Sequence, residues 1–213
     1  MFDPSTDHQA FDGLQDVVFQ QAATGAVDAV AQALRRDVTV QEAEVSQGAY
    51  RQGDARWELP ARELMIDPQP GDAIIEDDGS RWTVLAVDQT TLGSRWRCWC
   101  RNLTVAERLS QRVALQQAVW SHDAAGAATP EWVNQRIGLL VRIQPASAEV
   151  VERHAARGWK VTHEIFLAEP LELDADHRFL HEGQAYYVRG AEAMERIDRL
   201  QIVLTERTPW TQA

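Results

Sequence analysis

The stretch Asp72-Ala73-Ile74-Ile75-Glu76-Asp77-Asp78-Gly79-Ser80-Arg81-Trp82-Thr83-Val84 decides the fold that we predict for this chain. Apolar residues flank an Asp-Gly pair, a combination that signals a hairpin between two antiparallel strands. The acidic residues Glu76, Asp77 and Asp78 are interpreted as solvated side chains at the hairpin tip.

The hairpin pattern returns 104 positions further along the chain. Three short blocks align without gaps, namely 72–75 with 176–179, 77–79 with 181–183, and 82–84 with 186–188. The same offset sets Trp96, Cys98 and Cys100 against Leu200, Ile202 and Leu204. Short strands at this spacing predict a small antiparallel barrel or sandwich, twice over. Either the chain is an internal duplication, or two small β domains resemble each other by chance.

Residues 8–36 are predicted to be helical, because apolar residues recur at helical spacing on both sides of Gly25. These are Phe11, Leu14, Val18, Phe19, Val27, Val30, Ala31 and Leu34. From Val38 the period changes to two, which indicates strands. Further on, Ser147 is predicted to cap a short helix that ends at Gly158.

The predicted fold class is therefore mainly β with N-terminal helices, built on two small antiparallel barrel or sandwich domains. The expected divisions are an N-terminal helical segment (1–37), a first small β domain (38–103) and a second β domain (104–213).

Composition limits the classes of function. The chain has 213 residues and is 45% apolar, which is enough for two small cores. No apolar run approaches the length that crosses a bilayer, and the N-terminus does not resemble a signal peptide, so we expect a cytosolic protein or one packed into an assembly made there. The net charge is −11 and Lys160 is the only lysine. This balance argues against a protein that grips DNA phosphates, and it suits a surface past which DNA slides.

No catalytic or metal site can be assembled from the sequence. Cys98 and Cys100 lie two apart in a strand-like run, which favours two small buried side chains over a disulfide or a metal site. His177 and His181 lack a third ligand nearby. No phosphate-binding loop or Ser–His–Asp arrangement is evident, so we predict no enzyme activity, no metal and no cofactor.

Several blocks of the second half follow one another in a familiar order. They are 112–116, 119–126, 130–133, 140–145, Ser147-Ala148-Glu149, Val161-Thr162-His163-Glu164-Ile165, 174–178, Gly183, Tyr186 and Val188. In these blocks, residues 106–209 resemble the phage head–tail joining (head closure, or stopper) protein family. Residues 1–103 depart from that single-domain pattern, so the role of stopper and the combined role of adaptor and stopper both stay open.

The resemblance implies a structural component of the virion, located at the head–tail interface and assembled in the host cytoplasm. The expected partners are further copies in a homo-oligomeric ring, the portal protein and/or an adaptor, and the tail or a tail terminator protein. Genomic double-stranded DNA is expected as passing cargo without sequence-specific binding, and no membrane is involved.

Two candidate contact sites follow. A mobile loop of small residues is the candidate channel or docking loop, with a plain flexible surface loop as the alternative. It consists of Ser121, His122, Asp123, Ala124, Ala125, Gly126, Ala127, Ala128 and Thr129. Trp210, after the last predicted strand, is the candidate interface anchor, because tryptophan is favoured at interface centres.

A rival hypothesis is a small-molecule- or carbohydrate-binding β module or accessory domain. Such a module needs a concave aromatic patch with convergent polar groups. Trp57, Trp82, Trp96 and Trp99 are the residues expected to line it.

Overall fold

The chain forms two separate compact units, Met1–Ala106 and Glu107–Ala213. The structure, a computed structural model, describes residues 11–90, 92–122, 126–193 and 200–209. Each unit is a closed barrel of six antiparallel strands, so the predicted mainly β class with two small antiparallel domains is confirmed. The division between Ala106 and Glu107 lies three residues after the one predicted.

The first barrel closes through pairing of its first and fourth strands. Around the barrel the strands run in the order β1-β2-β3-β6-β5-β4. Their bounds are β1 Leu14–Gln20, β2 Val27–Asp37, β3 Ala55–Pro60, β4 Ala73–Ile75, β5 Arg81–Gln89 and β6 Arg95–Arg101. Helix α1 (Val40–Val45) precedes β3, a 3-10 turn (Ala61–Glu63) follows it, and α2 (Leu103–Ala106) ends the unit.

The second barrel repeats this topology strand for strand. Its order is β7-β8-β9-β12-β11-β10, and β10 pairs back onto β7. The bounds are β7 Gln111–His122, β8 Ala128–Pro145, β9 His163–Leu167, β10 His177–His181, β11 Gln184–Ala193 and β12 Gln201–Pro209. Helix α3 (Ala148–Ala155) lies between β8 and β9, as α1 lies between β2 and β3.

Strand pairing shows which core positions correspond in the two barrels. Phe19 pairs with Ile74 as Leu115 pairs with Phe179, and all four side chains are buried in their cores. Trp57 pairs with Cys98 as Ile165 pairs with Val203. A β-bulge follows Val84 in β5 and Val188 in β11, at equivalent points. Shared topology, core positions and bulge are what an internal duplication predicts.

The gapless alignment is displaced by one residue in two strands, since β4 corresponds to β10 and β6 to β12 at an offset of 105 and not 104. Ile74 and Trp82 face each other across the first hairpin, whereas Phe179 and Tyr186 face each other across a hairpin shorter by one residue. Cys98 therefore corresponds to Val203 and not to Ile202. The sequence alignment kept one offset because the Asp-Gly and Glu-Gly turns superimpose in sequence although their loops differ in length.

The predicted N-terminal helices are wrong, since the described part of 8–36 forms β1 and β2. The two strands lose register between Gln15 and Val17, where Gln15 pairs with Ala33 but Val17 pairs with Val30. Val30 and Ala33 thus both reach the core although they are three residues apart. This irregularity imitates helical spacing, and the first barrel needs both strands in order to close. The described part of the predicted helical segment 1–37 therefore belongs to the first barrel.

Helices α1 and α3 begin at capping side chains. The Ser147 hydroxyl accepts a hydrogen bond from the N–H of Val150, and Gly158 adopts a φ of +77°, as predicted for the ends of this segment. Helix α1 was missed by the sequence analysis. Thr39 and Glu42 form a reciprocal capping box there, within a segment that had been assigned to strands.

A buried ion pair fixes the connection from α1 to β3. Arg101 of β6 donates to both carboxylate oxygens of Asp54, at 2.8 Å from Nε and 2.7 Å from Nη2. The side chains are only 7% and 4% exposed. Asp54 also accepts from the backbone N–H of Arg51, so its carboxylate organises the turn before β3.

We predict that Asp54→Ala lowers the free energy of unfolding of the first barrel by about 3–5 kcal/mol, because it removes the carboxylate that neutralises buried Arg101. Chemical denaturation of the full chain measures the loss. The matched control is Asp88→Ala, which removes a largely exposed ion pair with Arg97 and should cost less than about 1 kcal/mol. Equal losses in the two variants would contradict this assignment.

The two cysteines are free and buried in the first barrel, as predicted. Burial raises the pKa of the Cys98 thiol to about 12 and raises the pKa of Cys100 well above its ordinary value. Because the thiolate is the reactive form, we predict that neither thiol reacts with a disulfide reagent at mildly alkaline pH until the barrel unfolds. Labelling of the native protein at the rate of a free thiol would show that this core is open.

Candidate functional site: an arm on the second barrel

The two barrels differ most in their first hairpin. Strands β7 and β8 contain 12 and 18 residues, against 7 and 11 in β1 and β2. The residue pair that closes the barrel lies at Phe19 in β1 and at Leu115 in β7, so the additional residues lie beyond the barrel wall. The second barrel therefore carries a projection that closure does not need.

We call this projection the arm and define it by its described residues, 119–122 and 126–131. The last strand pair that ties β7 to β10 joins Gln117 to His177, and the N–H of Ala118 donates to the carbonyl of Asp176. Beyond that point, among the described residues, 119–122 pair only with 128–131. The arm is thus a two-stranded ribbon supported from its base.

The base of the arm is held by a stacked arginine. The Arg178 guanidinium lies 4.1 Å from the centroid of the Trp132 ring, and its Nε donates to Gln116 Oε1 over 2.8 Å. Nη1 of Arg178 donates to the Tyr187 hydroxyl, and the Tyr187 and Trp132 rings meet edge to face. Gln116 in turn donates to Asn134 across the ribbon. These contacts join β7, β8, β10 and β11 on the outer wall.

One side-chain hydrogen bond extends this support onto the arm itself. Trp120 Nε1 donates to Asp176 Oδ1 over 3.0 Å. Asp176 is held by its own turn, since its N–H donates to Asp174 Oδ1, and His177 Nδ1 lies 2.7 Å from that same oxygen. The Asp176 N–H, followed by the His177 side chain, holds the pKa of Asp174 below its ordinary value.

The arm exposes apolar side chains on both faces. Val119 is 53% exposed and Trp120 is 52% exposed, and neighbouring residues of a strand point to opposite faces. Pro130 lies opposite Trp120 in the pair, and Val133 continues the Val119 face at the arm's base. Exposed apolar groups of this kind on a projecting element are typical of contact surfaces.

The arm is also nearly free of charge. Residues 113–135 contain no lysine or arginine and only two acidic residues, Asp123 and Glu131, in a chain that is 25% charged. This segment lacks the basic groups that bind phosphates. The arm is therefore suited to apolar contacts.

The described residues of the predicted loop, 121–122 and 126–129, belong to this arm. Strand β7 extends to His122 and β8 begins at Ala128, so part of the supposed loop is strand. Residues Asp123, Ala124 and Ala125 lie outside the described residues, as does Trp210, and the role assigned to Trp210 stays a prediction. No role in supporting the arm was predicted for Trp120, Asp176 or Arg178, although all three lie in blocks that carry the family resemblance.

A second surface feature lies on the first barrel, between α1 and the outer face of β3 and β6. It is a cleft of about 450 Å³ lined by Gln41, Glu42, Val45, Ser46, Tyr50, Arg56 and Trp99. The Tyr50 and Trp99 rings stack with centroids 4.4 Å apart. Arg56 Nη1 lies 2.9 Å from Glu42 Oε1, so the charges in the cleft neutralise each other.

The four tryptophans proposed for a binding patch do not come together on a surface. Trp57 and Trp82 are buried in the core of the first barrel, and Trp96 packs against that core. Trp99 alone among them lines the cleft. Tryptophans that point into the core cannot be distinguished by sequence from those that point outward, because the distinction depends on the strand register.

The acidic residues predicted for the tip of the first hairpin are not all solvated. Glu76 is not a solvated tip residue, because it accepts a hydrogen bond from Trp82 Nε1 and forms an ion pair with Arg35.

Within the described residues, no group of three His, Cys, Asp or Glu side chains is placed to hold a metal ion. The helices in the described part of the chain are too short or too polar to span a bilayer.

Comparisons with known proteins add little to this geometry. No protein-family model matches the chain, and no curated protein matches it. Among solved structures, the chain is similar to the solution structure of protein SF1141 from Shigella flexneri 2a. The identity is 16%, the TM-score is 0.37, and the match covers 46% of this chain and 90% of that one.

We predict that Asp176→Ala loosens the arm without unfolding the barrel, because it removes the acceptor of the Trp120 indole N–H while the ladder below Ala118 persists. Amide hydrogen exchange should accelerate in 119–122 and 128–131 and stay unchanged in β9 and β12. Glu182→Ala, at the exposed turn between β10 and β11, serves as the control. Unchanged exchange in the arm of Asp176→Ala would show that the hydrogen bond does not hold the arm.

Proposed function

We propose that this protein is a non-enzymatic structural subunit of a tailed-phage particle, a member of the connector ring that joins the portal of the DNA-filled head to the tail. The arm is the observation that carries the proposal. It projects from the barrel whose sequence resembles the head–tail joining proteins, and it includes the segment that the resemblance marks as a docking or channel loop.

Barrel closure favours a ring whose subunits contact one another through elements that project from the barrels. A closed barrel has no free strand edge along its wall, so contacts between copies fall to the elements that extend beyond it. A ring needs head-to-tail contacts between two different surfaces of each copy. The arm and the cleft are two such surfaces, one on each barrel.

Charge supports a conduit for DNA. The chain carries a net charge of −11, and the arm lacks any lysine or arginine between Arg112 and Arg136. Surfaces of this kind repel the phosphate backbone, so DNA passes without sticking. An arm pointed into the channel obstructs DNA by its bulk and not by binding it.

The proposed partners are further copies of the chain, the portal protein and/or an adaptor, and the tail or a tail terminator protein. The proposed location is the head–tail interface of the virion, after assembly in the host cytoplasm. No cofactor and no membrane take part in this role.

The cleft favours one rival function, the binding of a small molecule or a carbohydrate. Its volume suits a small ligand, and the Tyr50–Trp99 stack supplies an aromatic wall. Titration with a panel of saccharides, followed by isothermal titration calorimetry, tests this rival. Saturable binding that Trp99→Ala abolishes would favour a binding module over a connector.

Shortening the arm tests the connector proposal. We predict that replacing residues 121–129 by Asn-Gly leaves the barrel folded, because hairpin tips tolerate changes of length. Particles produced with this variant should still incorporate it on heads, but they should leak packaged DNA or fail to join tails. Nuclease protection of the packaged DNA and the fraction of tailed particles under the electron microscope are the two measurements.

The control keeps the length of the arm and replaces residues 123–127 by Gly and Ser. It should behave as the wild type, because bulk and reach are preserved. Heads built with the shortened variant that retain DNA and join tails normally would exclude a gating or docking role for the loop.

A further inference from the structure

We propose that the arm of one copy inserts into the cleft on the first barrel of a second copy, with Trp120 and Pro130 against Val45, Tyr50 and Trp99. The inference rests on the proposed ring function and deepens it, since it names the two surfaces that meet.

The arm has the features of an inserting element. A two-stranded ribbon is marginally stable alone, and Val119 and Trp120 leave this one with exposed apolar groups on both faces. Strand addition to the β8 edge of the arm is disfavoured, because Pro130 has no backbone N–H to donate to an added strand. Side chains are therefore left to make the contact, and tryptophan contributes most to such contacts.

The cleft has the features of a receptor. It is open, it is walled by the stacked rings of Tyr50 and Trp99, and Val45 on its rim is 76% exposed. Its volume of about 450 Å³ is of the order that holds a small ligand or a large side chain. The pairing of Arg56 with Glu42 leaves no uncompensated charge in it to oppose an apolar insert.

Charge favours a second copy over DNA or an anionic lipid surface as the occupant. Two chains that each carry a net charge of −11 repel, so contact is least costly where both surfaces are neutral. The arm is nearly uncharged over 113–135, and the cleft is neutral through its internal ion pair. DNA and anionic lipid surfaces are poor alternatives, because both select for lysine and arginine.

The pairing of two unlike surfaces gives the contact a direction. An apolar projection that enters a pocket elsewhere on an identical molecule makes a heterologous contact, which builds rings when the rotation closes. Because the arm belongs to the second barrel and the cleft to the first, every copy offers one of each. In a ring held together by such contacts, every copy uses both its arm and its cleft.

Engineered cysteines test the contact in the full chain. One sample carries Pro130→Cys and a differently tagged sample carries Val45→Cys, and the two are mixed at millimolar concentration and oxidised. The native Cys98 and Cys100 are buried and do not interfere. The matched controls are Ile137→Cys for the arm and Met65→Cys for the cleft, which are highly exposed positions outside the two surfaces.

We expect a disulfide-linked product between the two differently tagged chains that exceeds both control pairings roughly tenfold or more. Adding Trp120→Ser to the Pro130→Cys chain should reduce the yield roughly tenfold or more, since tryptophan side chains at the centre of an interface carry a large share of its binding energy. The thermal unfolding of that variant should match the wild type, which excludes misfolding of the barrel. Asp176→Ala, which loosens the arm but keeps Trp120, should retain the yield and so separates the contact from the support of the arm.

A yield no greater than that of the control pairings overturns the inference. Failure of the inference is distinguishable from failure of the proposed function. A protein that is incorporated into particles without this crosslink remains a connector with a different contact. A crosslink in a protein that never enters particles means a self-associating protein of another kind.

Discussion

Closure of each barrel, by pairing of its first and fourth strands, is the constraint on which the rest of the structure depends. It satisfies the backbone hydrogen bonds around the wall and places one apolar face inside, around Phe19 and Trp57 in one unit and Leu115 and Ile165 in the other. Function is then left to what extends beyond the wall, which means the arm, the helices and the loops.

Comparison of the two barrels separates the features that both barrels need in order to fold from the features that only one barrel has. Core pairs and the bulge after Val84 or Val188 occur in both, so they serve the fold. The arm occurs once, and it has its own support from Arg178 and Asp176. A supported, low-charge projection on one of two like barrels is the kind of element that meets a partner, and it connects the fold to the proposed role in assembly.

The sequence predicted the β class, the two domains, the hairpin at Gly79 and the cap at Ser147, because turn and capping residues act locally. It failed where tertiary pairing overrides local pattern. The register loss between β1 and β2 brings Val30 and Ala33 into the core at helical spacing. Neither the arm nor the inward orientation of the Trp82 side chain could be predicted from the sequence, since both depend on how the strands of the barrel pair and where that pairing stops.

The central claim is that this chain forms part of the junction between head and tail. Tailless, DNA-filled heads bearing the portal protein of the same genome would be mixed with the purified protein and imaged by electron cryomicroscopy. The account predicts a closed ring of this chain seated on the portal, with its channel open along the axis. Heads that bind none of the protein, and that join tails as well without it, would contradict the account.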